Sequence, residues 1–203
     1  MSAGPTGGLS ARTDRDVGWT VLELVLVMTL VVALAGVTAP LTAVAVDGVR
    51  VRQAAGFVSS RFRLARQRAV HKGQTVAVVF DLSGGAWQYR ICVDGNGNGV
   101  KRPELDVTDS CLDGPHALGA MFPRVEVAIA ADVVGPDGEA GSTDPVRFGV
   151  SDLVSFSPQG TCTSGSLYLR SARGVQYVVR VSGVTGRVRV LRYEPTALGW
   201  SET

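Results

Sequence analysis

The stretch GWTVLELVLVMTLVVALAGVTAP, from Gly18 to Pro40, is nearly a membrane span, yet it carries one acid, Glu23, close to its head. The apolar character continues past it: Leu24 to Val46 holds no charged side chain. At about 1.5 Å rise per residue, a helix of that run covers a hydrocarbon core of roughly 30 Å. Gly36 and Pro40 interrupt the run, and membrane helices tolerate both. The run is apolar on every face, unlike the surface helix of a soluble domain. A secretory signal would combine a basic head, a short apolar core and a small-residue cleavage site. Ala33-Leu34-Ala35 offers such residues, but the apolar run passes well beyond them.

Charge gives the opposite hint about orientation. The flank Arg12 to Asp16 has two Arg and two Asp, whereas Arg50, Arg52, Arg61, Arg63, Arg66 and Arg68 follow the run. The positive-inside rule, taken alone, puts the C-terminal side in the cytoplasm. The 203-residue chain as a whole has a net charge of +2, so it is not a polycation. Three Cys do not make a disulfide scaffold, and 25 Gly suit a strand-rich body with many turns.

After Gly48 the pattern becomes helical and amphipathic. Val51, Ala54, Ala55, Val58, Phe62, Ala65 and Ala69 recur at spacings of three and four, apart from one adjacent pair. Lys72-Gly73 is a stop signal. One long helix is expected from about Thr20 to His71, loosened near Pro40 and Asp47-Gly48. Its arginine-rich face meets lipid head groups, other subunits or solvent. The two His, His71 and His116, are scattered and make no zinc or base site.

Gly18-Trp19-Thr20-Val21-Leu22-Glu23 resembles the processing signal of type IV pilins and type II secretion pseudopilins. In that family a prepilin peptidase cuts after the Gly and the new N-terminus is methylated. The resemblance therefore implies cleavage between Gly18 and Trp19 and N-methylation of Trp19. Glu is typical at the fifth mature residue and Pro at the twenty-second; counted from Trp19, these are Glu23 and Pro40. Trp19 departs from the usual Phe but is still a large aromatic. The resemblance also gives Glu23 and Pro40 a role in filament assembly, with Glu23 pairing the mature N-terminal amine of a neighbour. A carboxylate in hydrocarbon wants such a partner.

The remainder reads as strands. Thr75–Asp81 and Trp87–Val93 flank the turn Leu82-Ser83-Gly84-Gly85 as a hairpin. Val125–Ala130, Val146–Val150, Ser166–Arg170, Val175–Val181 and Arg187–Tyr193 are further strands. The last strands alternate only in part, which suggests one face on the helix and the other in solvent. The expected fold class is α+β: a long N-terminal transmembrane and amphipathic helix packed on an antiparallel β body, pilin-like, with two small sheets. The expected organisation is a prepilin leader over residues 1–18, an anchor over 19–46, the amphipathic half of the same helix over 47–72, and a periplasmic body over 73–203. Phe156-Ser157-Pro158-Gln159-Gly160-Thr161 and Gly183-Val184-Thr185-Gly186-Arg187-Val188-Arg189-Val190 resemble phrases of one branch, the minor pseudopilin GspH and its relative FimT.

The middle of the chain carries an acidic loop. Asp94, Asn96, Asn98 and Gly99 match positions one, three, five and six of a calcium loop. Position twelve fails: it is Leu105, between Glu104 and Asp106. Two readings stand, an irregular calcium site on Asp94, Asn96 and Asn98, or a Gly/Asn turn that needs left-handed backbone angles. Cys92 and Cys111 bracket the loop, and in the periplasm that the resemblance implies they can pair, with Cys162 competing for either. No Cys has a His near it in sequence to make it a nucleophile.

The C-terminal segment from Arg170 to Arg192 contains six Arg and no acid. Arg187 and Arg189 share a face on a regular strand, and guanidinium forks suit phosphate. Either they bind DNA, as the FimT branch does with a similar Gly-Arg-x-Arg, or they form a solvated face or subunit contact. The leading expectation is a non-enzymatic minor pseudopilin of a type II secretion system, helping to start or cap a periplasmic pseudopilus. Its implied partners are other pseudopilins or minor pilins, prepilin peptidase, the inner membrane, and the secretin or cargo. The alternative is a type IV pilus minor pilin of the FimT kind that binds DNA nonspecifically for uptake. No cofactor is expected beyond the calcium alternative.

Overall fold

The computed structural model describes residues 20–138 and 143–203; within its long helix, the side chains of residues 37–44 fall outside that description. The helix, α1, runs Val21–Lys72, continuing through Pro40 and Asp47-Gly48, where loosening was expected. The chain divides into two compact units, Met1–Thr42 and Ala43–Thr203. In the first, the described apolar side chains from Val21 to Leu34 are exposed. Among the described residues no helix is long and apolar enough to cross a membrane. Residues 37–44, which join the two parts of the apolar run, are the ones whose side chains are not described.

In the second unit the helical stripe becomes the core. Val51, Ala54, Ala55, Val58, Phe62, Ala65 and Ala69 are all buried. Small residues dominate this stripe, so Phe62 supplies the bulk. Its ring lies 6.2 Å from Phe80, 5.7 Å from Phe148 and 6.3 Å from Phe156, centroid to centroid.

Two antiparallel sheets supply the rest. The first has the order β3-β2-β1-β6, with β1 at Val76–Ser83, β2 at Ala86–Val93, β3 at Ser110–Ala117 and β6 at Leu153–Phe156. The hairpin β1–β2 turns through Gly84 and Gly85, both at positive φ, as a tight reversal demands. The second sheet has the order β10-β9-β8-β7-β4, with β5 also on β7. Here β4 is Val125–Glu126, β5 Val146–Arg147, β7 Gly165–Ser171, β8 Gln176–Val181, β9 Val188–Glu194 and β10 Gly199–Glu202. A single helical turn, α2 (Leu118–Met121), precedes β4.

The expectation of one solvent-facing sheet side needs correction. Leu167, Leu169, Tyr177, Val179 and Val181 join the core with α1, while Tyr168, Val178 and Leu191 bury a second layer with Ile129, Val133 and Trp200. The first sheet is also covered twice, because Ala77, Val79, Cys92 and Leu153 pack with Val100, Leu105 and Cys111. Strands buried on both faces read as unbroken apolar runs, which is why their alternation is weak. The same layering shortens the strand expected at Val125–Ala130: after Glu126 the chain leaves the sheet and delivers Ile129 to its outer layer.

Candidate functional site

The two phrases that resemble the GspH and FimT branch meet at one side chain. Arg66 of α1 donates from Nε to the Gly160 carbonyl at 3.0 Å. A Cβ on Gly186 would lie 2.5 Å from that same Nε and 2.5 Å from the Gly160 oxygen, and a Cβ on Gly160 would press on Arg66 Nη2 at 3.1 Å. Glycine at both positions lets the guanidinium lie between two backbone turns. One turn is closed by Gly160 N–H donating to the Ser157 carbonyl, the other by Gly186 N–H donating to the Ser182 carbonyl.

This clamp forms one wall of a basic cleft of about 840 Å³. Arg63, Arg66 and His71 line it from α1, Arg187 from the turn just before β9, and Glu202 from β10. Glu202 sits 3.5 Å from Arg187 and 3.9 Å from Arg189. All three are well exposed, so these pairs hold the arginines only weakly.

Strand register extends the charge beyond the cleft. Arg189 lies opposite Arg180, Arg180 opposite Ser166, and Ser166 opposite Arg147. Directly opposed residues share a face, so three arginines form one row across β5, β7, β8 and β9. Like charges directly opposite one another disfavour a sheet. Arg180 is partly compensated by Asp137 at 2.5 Å, and the Arg147 guanidinium stacks 4.6 Å from the Tyr168 ring centroid. Sequence reasoning found Arg187 and Arg189 but not Arg147, because only the register brings it into line.

The acidic loop is a closed hydrogen-bond network. Asp94, almost fully buried, accepts backbone N–H groups from Asn96, Gly97 and Gly99 at 3.2, 2.7 and 2.7 Å. Asp109, fully buried, accepts from Gly95 and Lys101. Glu104 takes the side-chain amides of Asn96 and Asn98. The carboxylates thus accept the turn's own amides. Among the described residues no group of three acidic, His or Cys side chains is placed to hold a metal. Arg102 fixes the loop to β1, bonding the Phe80 carbonyl and the Asp81 carboxylate.

Cys92 and Cys111 are cross-strand neighbours joined by a disulfide, and Cys162 is free, its Sγ donating to the Ser182 carbonyl. Burial pushes the Cys162 thiol pKa up, so it is a poor nucleophile. The disulfide closes a loop with a sequence separation of 19 residues. Replacing both Cys92 and Cys111 with Ser is expected to lower unfolding free energy by about 3 kcal/mol in equilibrium denaturation.

Two carboxyl groups near the loop and β3 titrate low. The His116 hydrogen bond holds Asp113 below the ordinary aspartate range, and Asn96 and Asn98 do the same for Glu104. A lowered folded pKa gives stability that is complete above the unfolded value and lost as pH falls through the folded one. The melting temperature should therefore hold from neutral pH to about 5 and drop below about 4.

The N-terminal residues are placed as follows. Gly18, Trp19 and the leader 1–18 lie outside the described residues, as does the side chain of Pro40. Glu23 is exposed in the first turn of α1, its N–H donating to Thr20 Oγ1 at 3.3 Å.

Comparison with curated proteins and with solved structures yields no match. The family model for the type II transport protein GspH matches residues 54–186, from Ala54 near the start of the buried stripe to Gly186 of the Arg66 clamp. With more than half of its 203 residues matched, the chain belongs to the GspH family and has the role of a type II secretion pseudopilin, associating with other pseudopilins in the pseudopilus.

Proposed function

We propose that this pseudopilin is a minor, non-enzymatic subunit that starts or caps the pseudopilus. The leader is removed after Gly18 and Trp19 is methylated. The apolar helix holds the chain in the inner membrane as a single pass, with the body in the periplasm. Assembly moves that helix from lipid into a filament of packed helices, with Glu23 setting the register against a neighbour's N-terminal amine. The body then meets other minor subunits, the secretin or cargo. The observation that carries this reading is the exposed apolar surface: Val21, Leu22, Leu24, Val25, Leu26 and Met28 have little cover among the described residues. Lipid or neighbouring helices must supply it.

Deleting the gene and restoring it tests the position. Loss of an initiator reduces the number of pseudopili and the secreted cargo together, and tagged chain then sits at filament ends in low copy. Tagged chain distributed along the whole filament contradicts a capping or initiating place.

A second reading, nonspecific DNA binding of the FimT kind, is favoured by the Arg147–Ser166–Arg180–Arg189 row beside Arg187. Under it, full-length chain in detergent shifts duplex DNA at low salt, and affinity falls steeply as salt rises. Arg187→Ala with Arg189→Ala should then weaken binding at least tenfold and flatten the salt slope by about two. No shift at low salt removes this reading.

A further inference from the structure

We propose that the end of the body around Asp47 docks on anionic phospholipid head groups, using the guanidinium groups of Arg50, Arg124 and Arg173. The inference rests on the membrane-anchor reading above and adds a specific contact to it.

Three arginines converge there on one carboxylate. Asp47 is 2 % exposed and lies 3.8 Å from Arg50, 3.4 Å from Arg124 and 3.4 Å from Arg173. The fold brings them together from three places. Arg50 is one turn along α1, Arg124 stands just before β4, and Arg173 is in the β7–β8 turn. Because β4 pairs with the end of β7, with Val125 opposite Ser171, the last two become neighbours. The Ala172 N–H donating to the Arg124 carbonyl at 3.0 Å locks that corner.

The charge count leaves this end positive: three guanidinium groups against one carboxylate. The contacts are ionic rather than hydrogen-bonded, since Asp47 Oδ2 has no hydrogen-bond partner. The arginine side chains keep 39 %, 50 % and 35 % of their surface exposed. Their planar forks therefore have N–H groups to offer outward, and a phosphodiester accepts them in pairs. Asp47 acts as a buried anvil that holds the forks together at a cost in mutual repulsion.

Position along the chain identifies the occupant. The uncharged run ends at Val46, and Asp47 is the next residue. Val46 and Val49 beside it are exposed apolar side chains. A basic cluster immediately after an apolar span sits at head-group depth, where anionic lipid attracts it electrostatically. The basic cleft around Arg187 lacks this adjacency to the apolar run.

The test uses the full chain in nanodiscs of phosphatidylcholine alone and of equimolar phosphatidylcholine and phosphatidylglycerol. Hydrogen exchange is followed over residues 122–126 and 171–175, with the β1 amides as a folding control. The expected result is exchange on the order of tenfold slower in the anionic discs, lost in high salt and in Arg124→Gln with Arg173→Gln. The single variant Arg50→Gln, on the exposed helix surface, gives a partial loss should the double variant unfold. Equal exchange in both discs, with the chain incorporated, overturns the head-group contact alone. A chain that does not enter either disc overturns the anchor reading and this inference with it. Equal slowing by added duplex DNA in neutral discs also overturns it, assigning the cluster to polyanions in general.

Discussion

On the membrane-anchor reading, replacing Glu23 with Ala is expected to leave the chain in the membrane and to abolish its incorporation into the pseudopilus. The carboxylate lies in the first turn of α1, in a stretch whose described apolar side chains are exposed. Holding an ionised acid in hydrocarbon costs about 2.5–3.5 kcal/mol, so its retention needs a compensating partner. Under the assembly reading that partner is a neighbour's N-terminal amine, and the pair forms only in the filament. Removing it makes the lipid-embedded chain easier to hold and the assembled state harder to reach. At 1.4 kcal/mol per factor of ten, incorporation should fall on the order of a hundredfold. Glu23→Gln, which keeps the shape and removes the charge, should behave the same. Sheared filaments probed against the membrane fraction give the readout. Normal incorporation of Glu23→Gln contradicts a charge-based register.

Phe62→Ala should destabilise the body by about 3–5 kcal/mol, a large part of the 5–15 kcal/mol typical of a domain. Phe62 is fully buried and touches rings contributed by β1, by the segment after β5 and by β6. Its helix neighbours in the stripe are mostly Ala and Val, which cannot move in to fill the void. Phe62→Leu keeps most of the volume and should cost far less. Denaturant unfolding of the two variants separates cavity formation from simple loss of an aromatic. A cost under about 1 kcal/mol for Phe62→Ala would show that the helix is not the keystone of the core.

Much of this architecture is written locally. The stripe from Val51 to Ala69 has helical spacing, and each of its seven residues is buried. The β1–β2 hairpin declares itself through Gly84-Gly85 and β-rich flanks. Three strands did not. β3, with the sequence SCLDGPHA, is an edge strand with two irregularities in its pairing to β2 and a Gly-Pro step. β6 has only four residues, and β10 is a short edge strand held through its pairing with β9. Edge and very short strands lack the buried alternation that makes a strand legible.

The site was legible in pieces. Arg187 and Arg189 stand out as an i, i+2 pair, and the two phrases around Gly160 and Gly186 stand out as resemblances. That Arg66 joins those phrases, and that Arg147 and Arg180 line up with Arg189, depends on contacts between distant segments. The cluster at Asp47 is hidden for the same reason. The acidic loop shows what spacing alone leaves out: Asp94 and Asp109 accept backbone amides of the loop itself, which fixes its shape.

The most direct test of the pseudopilin account is mass spectrometry of the chain recovered from isolated pseudopili. The account predicts a mature N-terminus at Trp19 carrying a methyl group, in filaments that also contain other pseudopilins. A chain absent from the filaments, or present with residues 1–18 still attached, contradicts it.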